Sequence, residues 1–534
     1  MRLNDKALQD VKAWEAACIN LPRFDRKAVV DATEAAPVWV HFGAGNIFRA
    51  FLAMSMQKLL DEGLESRGIV AVGGEIIDKI FIPHDNLTLL VTLKANGTIE
   101  KTVVGSIVKS LKTDSDDTEN WQKLSDVFAN ESLQMVSFTI TEKGYALRGA
   151  DGGILPDVAR DFSAGFSRPQ SYMGKLAALL YVRYLAGGRP IAMVSMDNCS
   201  QNGTRLHTAI AAFAEKWAER GLIDKGFLDY VNDPGRVSFP WSMIDKITPR
   251  PDESVAAMLR AGGFEDTDVV TTSKNSFAAP FVNAEEAQYL VIEDAFPNGR
   301  PMLEKAGVLF TERSVVGKVE KMKVGTCLNP LHTALAVFGC LLGYTKISDE
   351  MKDEQLVKLV ERIGYKEGLP VVVDPGIINP KDFIDEVLNV RFPNPFMPDT
   401  PQRIACDTSQ KIPIRFGETL KAYIEKDMDV TSLRAIPLVL AAWCRYLLGV
   451  DDEGNAFTPS PDPLLETLQS QLAGITLGNT EGCRDRLRPI LSNPTYVGVD
   501  LYKVGLGELV EDLFVEMASG PGAVRKALSD VVNG

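Results

Sequence analysis

Val38-Trp39-Val40-His41-Phe42-Gly43-Ala44-Gly45-Asn46-Ile47-Phe48-Arg49 decides how the first half of this chain folds. The first five residues read as a short buried strand. The glycines at 43 and 45 end it in a tight turn, and the amphipathic run over 50–60 continues it as a helix. Strand, glycine turn, helix is the opening of a parallel α/β unit. Gly43-x-Gly45 lets backbone approach a pyrophosphate lying at the N-terminus of the following helix, with Asn46 in the turn and Arg49 as an added cation. Phe48 stands where the dinucleotide fingerprint has its third glycine, so a plain glycine turn with no ligand fits the same residues.

Outward from this stretch the pattern repeats. Strands are expected at 68–72, 87–94, 102–108, 135–140 and 191–196, with a helix over 173–185, and this alternation predicts a parallel, doubly wound sheet. Glu75, after Gly73-Gly74 at the end of the second strand, is placed to accept from a ribose hydroxyl, which favours NAD over NADP. In Ser195-Met196-Asp197-Asn198 a strand runs out where ligands of open α/β sheets bind. Asn198 there either offers its amide to a reacting oxygen or makes an Asx turn that starts the helix over 204–220. From 301 onward helical stretches succeed one another, at 353–363, 432–448 and 462–472. Phe296-Pro297-Asn298-Gly299-Arg300-Pro301 supplies the turn between the two patterns, so the domains are drawn as 1–300 and 301–534.

The chain has 534 residues, enough for more than one core, and a formal charge of −14. That charge argues against nucleic acid or an anionic membrane as the main partner. Seven cysteines, scattered and never in a CxxC, fit a reducing compartment and leave no structural zinc site. No signal-peptide core and no bilayer-length apolar run stand out, so a cytoplasmic location is expected.

A second informative stretch is Glu320-Lys321-Met322-Lys323-Val324-Gly325-Thr326-Cys327-Leu328-Asn329-Pro330-Leu331-His332. Glu320 and Lys323 share a helix face, and Asn329-Pro330 reads as an N-cap and first-turn proline opening a helix over 331–342. His332 projects from that first turn, where added positive charge is disfavoured, so a neutral imidazole is expected to donate to a substrate oxygen. A solvated lysine, a plain cap and a structural histidine are the alternative. Trp241-Ser242-Met243-Ile244-Asp245-Lys246 is a further polar cluster, in which Asp245 and Lys246 also read as a surface pair. Arg403, Lys411 and Arg415 gather positive charge within an acidic chain and suit a carboxylate-bearing substrate.

Taken together, HFGAGNIFR, TITEKGY (139–145), SMDNCSQNG (195–203), MIDKITP (243–249), QYLVIEDAFPNGRP (288–301), EKMKVGTCLNPLH (320–332) and DTSQKIPIR (407–415) resemble the polyol-specific long-chain dehydrogenases. The resemblance implies a Rossmann-type N-terminal domain, a mainly α-helical C-terminal domain carrying substrate-binding and catalytic residues, NAD as cofactor and no metal. It implies Lys323 as acid/base, Asn198 and Asn329 as amides polarising the reacting oxygen, His332 orienting it, and Glu320 near the proton path. Arg403, Lys411 and Asp245 fall to the substrate. The stretch from Lys323 to Asn329 is one residue longer than the family pattern, Pro330 replaces a small residue, and IDK stands for the usual VDR. The expected activity is NAD-dependent interconversion of a sugar acid with its keto form, D-mannonate and D-fructuronate first. Mannitol/fructose and tagaturonate/altronate chemistry are alternatives, and a non-catalytic nucleotide-binding regulator is the rival of another class. The partner is a small-molecule sugar acid or polyol, with the oligomer left open between monomer and dimer.

Overall fold

Strand residues that are apolar on both faces belong in a sheet covered on both sides. The structure, a computed structural model, describes residues 1–273 and 275–534, and it contains such a sheet. Six strands, Trp39–Phe42 (β1), Ile69–Gly73 (β2), Ile107–Lys112 (β3), Met135–Phe138 (β4), Ile191–Ser195 (β5) and Val237–Ser238 (β6), lie in the order β3-β2-β1-β4-β5-β6. Every neighbouring pair is parallel. Alternate residues feed two cores. Val40, Phe42, Val136 and Phe138 join one with the helices Tyr172–Leu185 and Asn202–Glu219. Trp39, Ile69, Ala71 and Met135 join the other with the helix Ala53–Asp61. The period-two side-chain alternation of a strand thus produces a doubly wound unit.

Two expectations change. The run 102–108 is not one strand: Ile99–Val104 pairs antiparallel with Thr88–Leu93 in a separate four-stranded sheet, and Gly105-Ser106 breaks the chain before β3. A Cβ at Gly105 would come 2.9 Å from Pro22, so the bend needs glycine. The first compact unit also runs on to Gly317, past the 300/301 turn. Strand Leu309–Thr311 pairs in parallel with Tyr289–Glu293, and Arg300 bonds Asp294 and Glu304, which ties 301–311 to this unit.

The second unit, Lys318–Gly534, is built from helices. Helix Ala435–Tyr446 is buried along its whole length, and Glu367 caps it by accepting the N–H groups of Arg434, Ala435 and Ile436, each at 2.8 Å. A carboxylate suits that position because three helix-terminal donors and the positive end of the helix dipole converge on it. The helical stretch Arg313–Leu341 is long and apolar enough to cross a bilayer, but 78% of its apolar window is buried inside the protein, as in a core helix. All seven cysteines are free thiols.

Candidate active site

In the first unit the strand order reverses between β1 and β4, and the loops leaving these two strands border the crevice where open α/β sheets bind ligands. Gly43 ends β1 at φ +115°, and a Cβ there would lie 2.2 Å from the carbonyl oxygen of Thr139, which comes directly after β4. Only glycine fits this crossing. Beneath it His41 is fully buried, with Nδ1 2.6 Å from Ser137 Oγ and Nε2 2.9 Å from Thr139 Oγ1, and it stacks on Phe48 at 4.0 Å. Burial pushes its pKa down to about 3, so the ring is neutral. At Gly45 a Cβ would meet nothing within 4 Å, so the backbone there faces open space, and the chain is helical from Asn46.

The turn's side chains depart from expectation. Arg49 is fully buried and donates to the carbonyl of Ala279 at 2.7 Å and to Asn46 Oδ1 at 2.9 Å. It holds the turn from behind instead of meeting phosphates, because it lies on the core side of the helix. Asn46 donates to the carbonyl of Pro249 at 2.8 Å, so its side chain braces the loop and its backbone is left for an anion. Glu75 lies just beyond β2, but its carboxylate already accepts from Lys79 at 2.8 Å and from the N–H of Ser273 at 3.1 Å. Bonds from Lys79, then from Ser273, hold it at a pKa of about 2.

After β5, Asn198 is exposed, and helix Asn202–Glu219 is preceded by Gln201, so Asn198 is not its cap. Its neighbour Asp197, passed over in the sequence, is the organiser. Asp197 is buried and accepts the N–H of Ile140 at 2.9 Å, the N–H of Thr141 at 2.8 Å and the hydroxyl of Tyr145 at 2.5 Å. It holds Thr141 at φ 65°, ψ 160°, a conformation open to few residues other than glycine. Burial lifts the Asp197 carboxyl above its usual range against these bonds. Asp245 ends strand Ser242–Asp245 and is buried, and Lys246 donates to the carbonyl of Glu285 at 2.6 Å, so the two are not a surface pair.

In the second unit Lys323 opens a π-helical turn, Lys323–Cys327, and is 4% exposed. The N–H of Leu328 reaches back to the carbonyl of Lys323 at 3.1 Å, a bond spanning five residues. Helix Asn329–Leu341 then starts with Leu328 at the cap, so Asn329 is its first helical residue and not its N-cap. His332 lies in the first turn, with its ring over Phe392 at 5.0 Å and Nε2 2.6 Å from Asp399 Oδ2. Nothing in Met397-Pro398-Asp399-Thr400-Pro401 marks this carboxylate as the histidine's neighbour. Arg403 pairs with the other oxygen of Asp399. Burial would raise the Asp399 carboxyl, but His332 and Arg403 together outweigh it and hold the group below the ordinary carboxylate range.

The basic cluster is real, and it is largely committed. Lys411 donates to the carbonyls of Ile404, at 3.0 Å, and Cys406. Burial, then Arg415, lowers its pKa. Arg415 donates to Thr333, and burial brings its pKa down to about 10. Glu320 is half-buried and lines a 390 Å³ hollow with Val324, Thr326 and Thr419.

The chain matches two family models, the mannitol dehydrogenase Rossmann domain over residues 38–305 and the mannitol dehydrogenase C-terminal domain over 316–481. It is 53% identical over 538 residues to a D-mannonate oxidoreductase of Thermotoga maritima, covering 100% of this chain and 99% of that one. Among solved structures it resembles the mannitol 2-dehydrogenase of Pseudomonas fluorescens in a ternary complex with NAD and D-mannitol, at 27% identity and a TM-score of 0.69 over 100% of both chains. A substrate-free D-sorbitol dehydrogenase is 25% identical, with a TM-score of 0.76 over 95% of this chain and 98% of that one.

Proposed function

The chain belongs to the mannitol dehydrogenase family, and from that premise we propose that it interconverts D-mannonate and D-fructuronate. It is an NAD-dependent oxidoreductase acting on a secondary alcohol and its ketone. The whole-length likeness to a D-mannonate oxidoreductase carries the choice of substrate. The mannitol/fructose pair is the second reading, favoured by the likeness to the mannitol enzyme.

The first unit fits a dinucleotide. Gly43 brings β1 hard against the end of β4, and Gly45 leaves its backbone open where a pyrophosphate needs room. Gly43, Gly45 and the backbone of Asn46 would hold the phosphates, and Glu75 would offer the ribose only the lone pairs that Lys79 and Ser273 leave open. When bound, NAD supplies the hydride acceptor.

The remaining steps fall to the chain's own side chains. Lys323 takes the hydroxyl proton during oxidation and returns it during ketone reduction. Asn198 and Asn329 donate amide hydrogens to the reacting oxygen and stabilise its developing charge without giving up a proton. His332 orients the substrate, and Glu320 passes the proton between Lys323 and water. Arg403 and Lys411 meet the carboxylate that distinguishes a uronate from a hexitol, and Asp245 is a further substrate contact.

The test monitors NADH oxidation with fructuronate, tagaturonate and fructose, in the parent and in Lys323→Ala. Fructuronate should lead in kcat/KM. The variant should lose about two to four orders of magnitude in kcat while NADH affinity stays within about twofold. A parent that prefers fructose returns the mannitol reading, and a variant with near-parental turnover removes Lys323 as the acid/base.

A further inference from the structure

We propose that Asp399 is a positioning residue of this reaction: one buried carboxylate whose two oxygens set the imidazole of His332 and the guanidinium of Arg403. The inference rests on the mannonate/fructuronate reading of the site and adds a member that neither sequence pattern nor family likeness supplied.

The backbone at Asp399 is held from several directions. Proline stands on either side of Asp399-Thr400, which restricts the chain there. The carbonyl of Asp399 accepts the N–H of Ile347 at 3.0 Å, and Thr400 caps the helix Pro401–Ile404 by accepting the N–H of Arg403 at 3.2 Å. The side chain is 10% exposed. A carboxylate so far out of water needs compensating charge or hydrogen bonds: Oδ1 accepts from Arg403 Nη2, and Oδ2 lies 2.6 Å from His332 Nε2, an ion-pair approach that is not aligned as a hydrogen bond.

The chemistry of the acceptor fixes the histidine. An ionised carboxylate accepts hydrogen bonds and donates none, so the ring nitrogen facing it carries the hydrogen. With a single hydrogen on the ring, Nδ1 is then the bare, accepting nitrogen, and Phe392 packs against one side of the ring at 5.0 Å, tilted by 32°. His332 therefore meets the substrate as an acceptor, taking a hydrogen bond from a hydroxyl. This reverses the donor role expected from its place at a helix N-terminus. The second oxygen makes the arrangement selective, because the guanidinium of Arg403, 61% exposed, is tethered at one nitrogen and can turn only its other N–H groups to a substrate. One side chain thereby couples the group that orients the reacting end to the group that reads charge.

Two measurements test this. The chain has four histidines, so the 15N spectrum of the histidine-labelled parent enzyme is small enough to assign, with His332 identified by the resonances lost in His332→Asn. It should show His332 protonated at Nε2, and an Nδ1-protonated ring would overturn the proposal. The second is a double-mutant cycle on kcat/KM for fructuronate. Asp399→Asn should cost on the order of 10- to 100-fold in the parent, as loss of an orienting partner typically does. It should cost less than about twofold in the His332→Asn, Arg403→Ala background, because little remains there for it to position. An equal loss in both backgrounds marks a merely structural residue and sinks the proposal. If Asp399→Asn does not fold, the tautomer measured on the parent decides. A parent with no turnover of any sugar acid or ketose would refute the functional reading while the Nε2 tautomer still stood, so the two failures can be told apart.

Discussion

Glu350 shows how far a single group can stand from its ordinary chemistry. Its side chain is wholly buried in the second unit, lying so close to helix Asn329–Leu341 that a Cβ at Gly339 would fall 2.2 Å from Oε1. Among the described residues neither carboxyl oxygen has a hydrogen-bond partner. Burial, then the charges of Asp399 and Asp353, push its pKa well above 4.5. The folded-state value is thus raised above the unfolded one, so Glu350 is neutral and harmless below about pH 4.5, and stability is lost as pH rises toward the elevated folded-state value. Glu350→Gln removes that dependence. Its melting temperature should match the parent's near pH 4 and exceed it by a few degrees near pH 8, monitored by circular dichroism across the range. Equal pH profiles for the two proteins would show that Glu350 is not the titrating group. The same scale explains what the sequence revealed of the site. Lys323, Asn329 and His332 stand out in the sequence because they fall within one short segment. Asp399 does not, because its meaning depends on a fold that brings it to His332 from a distant loop. Arg49 was misjudged for a related reason: a cation beside a glycine turn looks like a phosphate ligand until the helix face it occupies is known.

Elements carry a different kind of information. The turn after β1 contains two glycines that look alike in sequence and differ in what they tolerate. Gly43→Ala puts a methyl group onto the backbone oxygen of Thr139 at a φ that L-residues avoid, so it should destabilise the fold by several kcal/mol and yield little soluble protein. Gly45→Ala meets open space, so its melting temperature should stay within about two degrees of the parent's while NADH affinity falls at least several-fold. Thermal denaturation and NADH fluorescence titration separate the two cases, and a Gly45→Ala variant with parental affinity would move the pyrophosphate elsewhere. Strands β1, β2, β4 and β5 were legible because continuous apolar runs bounded by turns have few other uses. The 102–108 run was not, since propensity says nothing about which sheet a strand joins, and Gly105 divides two strands that look like one.

At the level of the whole molecule, alternation of strands and helices followed by helices alone was enough to give a Rossmann-type half and a helical half. The end of the first unit was hidden because Leu309–Thr311 is a short strand whose pairing with Tyr289–Glu293 is not local. A ligand that binds only the folded form stabilises by mass action, by about 2.7 kcal/mol at a hundred times its Kd. NADH at that excess should raise the first unfolding transition by several degrees. With Glu75 at the ribose, as proposed, NADPH at the same concentration should raise it less, because a carboxylate there repels a 2′-phosphate. Equal shifts, read by calorimetry, would remove Glu75 as the discriminating residue. Finally, the π turn at Lys323–Cys327 bears on how the chain tolerates a change of length at this point. Adding a residue to a regular α-helix rotates everything beyond it by about 100° and would swing His332 off its face. A turn closed by a five-residue bond holds one more residue than a regular turn, so between Lys323 and Asn329 it is this turn that sets where the helix carrying His332 begins.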